Sequence, residues 1–151
     1  MNYDQLKLEN QLCFPFYAIS RLIIRAYQED LDMLEITYPQ YLVLLVLWEK
    51  DGITVNEISE KLVLNTNTVT PLLKRMEKVS LITRTSSPDD LRKVVVRLTE
   101  SGIKMREKAA QIPFNLMTKL NLQSSGITME DVTALKSTLN KLIIMLNKSE
   151  G

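Results

Sequence analysis

The stretch "LITRTSSPDDLRKVVVRLT", residues 81–99, contains two apolar runs unlike anything else in the chain. Leu81 to Thr85 and Lys93 to Leu98 are of strand length and rich in β-branched residues. Val94, Val96 and Leu98 alternate with Lys93, Val95 and Arg97, the period of two that a half-buried strand requires. Between the runs, Ser86 to Leu91 gathers serine, proline and aspartate, residues that reverse a chain. The segment predicts a β-hairpin with a polar tip.

Outward from the hairpin the spacing is helical on both sides. Upstream, Asn65 or Thr66 caps a helix to about Ser80, and the capping box Thr54-x-x-Glu57, after an Asp51-Gly52 break, opens a short helix through Leu62. Before these, Thr37-Tyr38-Pro39-Gln40 is a second capping box, followed by the almost wholly apolar "YLVLLVLWE". A helix apolar on every side is a central one. Leu12, Phe16, Ile19, Ile23, Tyr27, Leu31 and Leu34 step by three or four and mark a long first helix, with Pro15 in its first turn or bending it. Downstream, helical spacing runs from Thr99 to about Leu120 with Pro113 as a kink, and Ser124-Ser125-Gly126 is a break. Thr128-x-x-Asp131 then opens a last helix whose Val132, Leu135, Leu139, Leu142 and Leu146 form a coiled-coil-like seam.

Two short helices and a hairpin, set behind a central helix, describe a winged helix-turn-helix. The expected fold is mainly α with a small β-hairpin wing: a single chain, 1–151, with the winged region at 37–99 between long dimerisation helices at 1–36 and 100–151. The outer helices carry more apolar stripe than one small domain can cover. A two-fold homodimer, joined through Leu12 and Phe16 and the seam Val132, Leu135, Leu139, Leu142 and Leu146, buries the same stripe on both copies. A monomeric helical bundle is the alternative.

Composition narrows the chemistry. A chain of 151 residues with 45% hydrophobic content can bury a core without cross-links. With no histidine and one cysteine, Cys13, it can form no internal disulfide, and the usual zinc sites and histidine-based triads cannot be assembled. No metal and no cofactor are expected. With no leader segment and no apolar run near the roughly 18 residues that span a bilayer, a soluble cytoplasmic protein is expected. The net charge of +1 conceals an asymmetry: residues 61–108 hold 11 Lys or Arg against 5 Asp or Glu, and the remainder 8 against 13. A basic middle between acidic ends suits a polyanion partner.

On the helix after Asn65, Val69, Leu72, Leu73 and Met76 form the inward stripe. Asn67, Thr70, Pro71, Lys74 and Lys78 lie opposite, with Thr66 and Thr68 at the start. Such a small, polar, basic face suits a major groove, where asparagine pairs with adenine, a threonine or proline touches a thymine methyl, and lysine meets guanine or phosphate. Pro71 costs roughly 3 kcal/mol relative to alanine inside a helix, so its presence calls for a reason.

At this point "LENQLCF", "ITYPQYLVLLVLWE", "TVTPLLKRME" and "LITRTSSPDDLRKVVVRLTESG" together resemble the MarR family of bacterial regulators. The first three resemble its OhrR-type branch of organic-peroxide sensors; the last is similar to the family at large. The resemblance implies a cytoplasmic dimeric repressor of a pseudo-palindromic double-stranded DNA operator, whose cysteine is oxidised by organic hydroperoxides. It also explains the "TP" at Thr70-Pro71. By the same resemblance, Asp90-x-Arg92 is the wing motif in which the arginine enters a minor groove and the carboxylate holds it, Arg75 is a second partner of Asp90, and Arg84, Lys93 and Arg97 contact phosphates. The family's Asp-Ser-Gly helix opening is replaced by Asn65-Thr66-Asn67, so base preference is expected to differ.

A free cysteine is usually a small buried hydrophobe. Tyr17 lies one turn after Cys13 on the same helix face. Tyr27 lies on that side too, but roughly 21 Å along the axis. In the resemblance, Tyr27 and Tyr38 reach the sulfur from the partner subunit. Phenolic donors stabilise a thiolate, which attacks a peroxide oxygen to give a sulfenic acid. With no second cysteine, a low-molecular-weight thiol completes a mixed disulfide. Two other readings remain: a MarR-type regulator controlled by a small ligand, with Cys13 inert, and a one-cysteine peroxidase.

Overall fold

A computed structural model describes residues 3–147, and seven helices surround a small sheet within them. Two short 3-10 turns, Asp4–Leu6 and Leu8–Asn10, lead into α1 (Cys13–Met33). There follow α2 (Tyr38–Glu49), β1 (Ile53–Thr54), α3 (Val55–Leu62), α4 (Thr66–Lys78), β2 (Ile82–Ser86) and β3 (Val94–Leu98). The chain continues with α5 (Glu100–Ala109), α6 (Ile112–Leu120), a 3-10 turn at Leu122–Ser125 and α7 (Met129–Asn147).

Local chemistry sets these boundaries. At the start of α2 the Thr37 amide donates to Gln40 Oε1 at 2.8 Å, with Pro39 in the first turn where its missing N–H costs nothing. At α3 the Thr54 amide donates to Glu57 Oε2 (2.8 Å) and the Glu57 amide to Thr54 Oγ1 (3.2 Å). Val63 then takes a left-handed conformation, φ 53°, that ends α3 and turns the chain into α4. Thr128 and Asp131 cap α7 in the same reciprocal way. Pro15 falls in the first turn of α1, within an uninterrupted helix.

α2 is the central element: Tyr41, Val43, Leu44, Val46 and Leu47 are all buried. Around it pack Ile58 of α3, Val69, Leu73 and Met76 of α4, and Ile82 and Val96 of the sheet. The same cluster includes Leu31 of α1, Ala109 of α5 and Ile112 of α6, so one core runs across positions 36 and 99.

The structure departs from sequence expectation in two places. The hairpin is part of a three-stranded antiparallel sheet ordered β1-β3-β2, with Ile53 opposite Val96 and Thr54 opposite Val95. A strand of two residues has no period to read. It is held by the Leu98 amide donating to Asp51 Oδ1 at 2.8 Å and by Gly52, whose φ of 69° places it against the Arg97 guanidinium. Second, the helix expected from Thr99 to Leu120 is two helices. It breaks at Ala110-Gln111, and Pro113 sits in the first turn of α6 instead of kinking a continuous rod.

Gly102 marks the tightest packing. Its carbonyl accepts from Trp48 Nε1 at 2.9 Å, and a Cβ there would overlap the Leu81 carbonyl oxygen. Backbone cannot yield as a flexible side chain can. Gly102→Ala is expected to lower stability by about 1–3 kcal/mol, seen as a lower urea midpoint at unchanged m-value.

α1 is tied to α6 by a polar knot. The buried Asp30 carboxylate accepts from Asn115 Nδ2 (2.6 Å) and Lys119 Nζ (2.9 Å), and Lys119 also reaches Glu29 (3.0 Å). Burial pushes the Asp30 carboxyl up, but the bonds from Lys119 and Asn115 outweigh it and hold the group below its ordinary value. By contrast, α7 buries none of its residues: Val132, Leu139 and Leu142 are half-buried, and Leu135 and Leu146 are exposed.

Candidate functional site

Two candidate sites emerge, one on α4 and the wing and one around Cys13 and the tyrosines of α1 and α2. On α4, Val69, Leu72, Leu73 and Met76 face the core, which leaves Thr66, Asn67, Thr68, Pro71, Lys74 and Arg75 exposed and Thr70 half-buried. Asn65 supplies the N-cap position but makes no side-chain cap bond, so its amide side chain remains available beside the first-turn N–H groups. Pro71 lies on the outer face, where its missing donor leaves no buried carbonyl stranded.

β2 and β3 pair from Ile82 with Leu98 to Ser86 with Val94. The tip is closed by backbone bonds from Ser87 N to Lys93 O (2.8 Å) and Lys93 N to Asp90 O (2.9 Å). Asp90 Oδ1 accepts the Arg92 amide at 3.1 Å. This carboxylate therefore shapes the turn that projects the exposed Arg92 side chain, and it pairs with neither the Arg92 nor the Arg75 guanidinium. Arg84 differs from expectation more sharply. Its Nε and Nη2 donate to Glu77 Oε2 at 3.0 and 2.8 Å, and its backbone amide to Glu77 Oε1 at 3.0 Å. A guanidinium so engaged fastens the wing to α4, and it is half-buried where a phosphate contact would be exposed. The Arg84 hydrogen bonds hold the Glu77 carboxyl below its usual range. Between wing, α3 and α4 lies a cleft of about 220 Å³, lined by Asn56, Thr66, Thr70, Arg84, Arg92 and Lys93 among others.

The cysteine lies elsewhere. Cys13 is the first residue of α1 and exposed. Tyr17, one turn on, accepts from Arg21 Nη1 at 2.9 Å, and the Arg21 guanidinium lies 5.5 Å from its ring centre, so this hydroxyl is engaged with Arg21. Tyr27 is on the same unbroken helix, out of reach of its own chain's sulfur. It packs 5.1 Å from Tyr38 and 6.0 Å from Tyr41, with Trp48 beyond Tyr41 at 6.4 Å. Burial, and for Tyr27 then the neighbouring phenols, raise the pKa of Tyr27, Tyr38 and Tyr41 above the ordinary tyrosine value. All three stay protonated near neutrality and can act as hydrogen-bond donors.

Three sets of residues lie outside the sequence expectation, only the first with a signal in its spacing. Tyr41 could have been noticed, three residues after Tyr38 on one helix face. Glu77 has no local signal, because its partner Arg84 is reached only once the turn after α4 brings β2 alongside. Asp30 and its partners Asn115 and Lys119 lie 85 and 89 residues apart in the chain. Among the described residues no cluster of three metal-ligating side chains occurs, and no helix is long and apolar enough to cross a membrane.

The MarR family pattern matches residues 36–94, the winged region almost entire. The chain is 48% identical over 146 residues to the organic hydroperoxide resistance transcriptional regulator of Bacillus subtilis (strain 168), covering 97% of this chain and 96% of that one. It belongs to the MarR family. Among MarR-family structures, reduced AbfR bound to DNA superposes with a TM-score of 0.80 at 33% identity, covering all of both chains; AbfR is a protein of Staphylococcus epidermidis. Overoxidised AbfR bound to DNA gives 0.73 at 34% identity, covering 97% of this chain and 99% of that one. The mainly helical winged architecture is thus that of the family.

The exposed wing arginine provides a direct check on the DNA face. Arg92→Ala is expected to weaken binding to a DNA operator while the urea midpoint stays unchanged, and to reduce the slope of log affinity against log salt by about one unit. Unchanged operator affinity by fluorescence polarisation removes Arg92 from the interface.

Proposed function

We propose that this protein is a dimeric cytoplasmic repressor that binds a pseudo-palindromic operator and releases it when an organic hydroperoxide oxidises Cys13. The carrying observation is that an exposed cysteine stands at the head of α1 and a cluster of protonated tyrosines lies further along the same chain, out of its reach. In a two-fold dimer formed by α1, α6 and α7, Tyr27 and Tyr38 of one subunit serve Cys13 of the other. The relatives support this reading, one named for hydroperoxide resistance and the other solved on DNA in reduced and overoxidised forms.

The thiolate attacks the distal peroxide oxygen, the O–O bond breaks, and sulfenic acid and alcohol result. A low-molecular-weight thiol then condenses with the sulfenic acid, giving a mixed disulfide and water. The adduct, at a dimer seam, changes the angle between two reading heads whose half-sites are about one helical turn, roughly 34 Å, apart. Thr66, Asn67, Thr68, Thr70, Pro71 and Lys74 read the major groove, Arg92 and Lys93 the wing contacts, and Arg75 the adjoining backbone. Glu77 and Arg84 fix the wing's orientation. No catalytic turnover, metal or cofactor is involved.

Mass spectrometry of Cys13 after one equivalent of cumene hydroperoxide, with operator binding measured in parallel, tests the proposal. Stoichiometric oxidation with loss of binding is expected. Repeated turnover without DNA binding identifies a peroxidase instead, and release by a ligand with Cys13 unmodified identifies a ligand-controlled regulator.

A further inference from the structure

The tyrosine cluster and the link between α4 and the wing are joined by one continuous run of contacts. Tyr41 lies 6.0 Å from Tyr27 and 6.4 Å from Tyr38, ring centre to ring centre. Trp48 follows Tyr41 two helical turns along α2, and its ring meets that of Tyr41 edge-on at 6.4 Å. From there the Trp48 indole N–H donates to the Gly102 carbonyl of α5 at 2.9 Å. Among the described residues it is the one side-chain hydrogen bond between α2 and α5.

Past Gly102 the run continues through main-chain groups. Bare of a Cβ, Gly102 lies directly against the Leu81 carbonyl, which a side chain there would overlap. Thr99, the N-cap of α5, accepts the Gly102 amide on Oγ1 at 3.1 Å and donates that hydroxyl to the Ser80 carbonyl at 2.6 Å. Its own amide donates to the Leu81 carbonyl at 3.1 Å. Ser80 and Leu81 join α4 to β2, and Ser80 holds a left-handed φ of 58° there. With no flexible side chain between them to absorb a displacement, a shift of the first turn of α5 is passed on to this link. The apolar packing around α2 is non-directional, whereas a hydrogen bond weakens steeply once its angle is lost. It is the indole bond that ties a rotation of α2 to a movement of α5.

We propose that Trp48 is a positioning residue of the release step: its bond to Gly102 couples the tyrosine cluster to the α4–β2 link. Displacement of Tyr27 and Tyr38 on oxidation of the partner subunit's Cys13 is thereby converted into a turn of α4 and the wing. This rests on the reading of Cys13 as the sensor and of Tyr27 and Tyr38 as its donors. Trp48 acts after oxidation and takes no part in the chemistry at sulfur.

Trp48→Phe keeps an aromatic ring and removes the N–H. Operator affinity is measured by fluorescence polarisation for the reduced protein and for protein whose Cys13 carries the mixed disulfide, with the extent of modification fixed by mass spectrometry. Reduced Trp48→Phe is expected to bind as the wild type does, and its Cys13 to be modified at the wild-type rate. Its modified form should hold the operator about ten-fold more tightly than modified wild type, the size of an ordinary coupling between two sites. An affinity loss on modification equal to that of the wild type, whether or not the reduced form is also weakened, overturns the proposal and leaves Trp48 a structural residue. Trp48 is the only tryptophan of the chain, so the wild-type protein supplies a second measurement that needs no variant to fold. Its emission should shift in step with operator release as Cys13 is modified, and stay constant in peroxide-treated Cys13→Ser. Modified wild type that releases its operator at constant emission leaves the sensor standing and removes the coupling through Trp48. If Cys13 stays unmodified, or Cys13→Ser still releases the operator, the sensor reading falls and the coupling with it.

Discussion

Cys13→Ser is expected to bind its operator as tightly as the wild type and to remain bound when an organic hydroperoxide and a small thiol are added. The first half follows from position. Cys13 is exposed at the head of α1 and lies outside the buried core of its own chain, and a hydroxyl of similar size keeps any packing at the proposed dimer seam. The second half follows from chemistry. A hydroxyl has no accessible anion near neutrality and does not attack a peroxide oxygen, so both the sulfenic acid and the mixed disulfide are lost. The response should fall from complete release to none. Tyr27→Phe and Tyr38→Phe should lie between, slowed because a hydrogen bond to a charged group contributes about 1.5–3 kcal/mol. The deciding measurement is fluorescence polarisation of a labelled operator across a peroxide titration. Release from Cys13→Ser at wild-type peroxide concentrations would make Cys13 an inert surface residue and move the signal elsewhere.

What could be read from the sequence, and what could not, divides along the range of the interactions. The inward face of α4 was visible because four buried residues, Val69, Leu72, Leu73 and Met76, repeat at a helix's own period. The capping boxes at Thr37, Thr54 and Thr128 were visible because both partners lie within four residues. β1 was not, since two residues that pair with β3 far along the chain, Ile53 with Val96 and Thr54 with Val95, carry no periodic signal. Nor was the break before α6, because proline in a first turn and proline within a helix look alike until the preceding hydrogen bonds are known. The wing arginines show the same limit in the functional site. Charge and spacing place Arg84 and Arg92 on one hairpin, yet only the fold shows that Arg84 is held by Glu77 while Arg92 projects freely. Tyr27 stands at the other extreme: helix length alone keeps it from its own Cys13, so the contact that the family resemblance implies would have to come from a second subunit.

That second subunit is tested most severely at the last helix. α7 is 19 residues long and buries none of them within one chain, with Leu135, Ile143, Ile144, Met145 and Leu146 all exposed. A helix presenting this much apolar surface to water gains little from folding, since most helical stability in proteins comes from packing an apolar face. The proposed seam of Val132, Leu135, Leu139, Leu142 and Leu146 would supply that packing once a second copy covers it. Leu139→Glu places a carboxylate in the middle of the seam, twice per dimer because the two-fold axis repeats it, at a cost of several kcal/mol if the dimer is to survive. The expected outcome is dissociation to monomers at micromolar concentration and loss of tight operator binding, since a monomer engages one half-site and forfeits the joint binding of two. Lys141→Gln, on the same helix but outside the seam, makes the same one-unit change of charge and serves as the control. Sedimentation equilibrium with circular dichroism reads both association and folding. A Leu139→Glu protein that remains a folded dimer places the seam elsewhere, and removes the support for the proposed approach of Tyr27 to Cys13 across it.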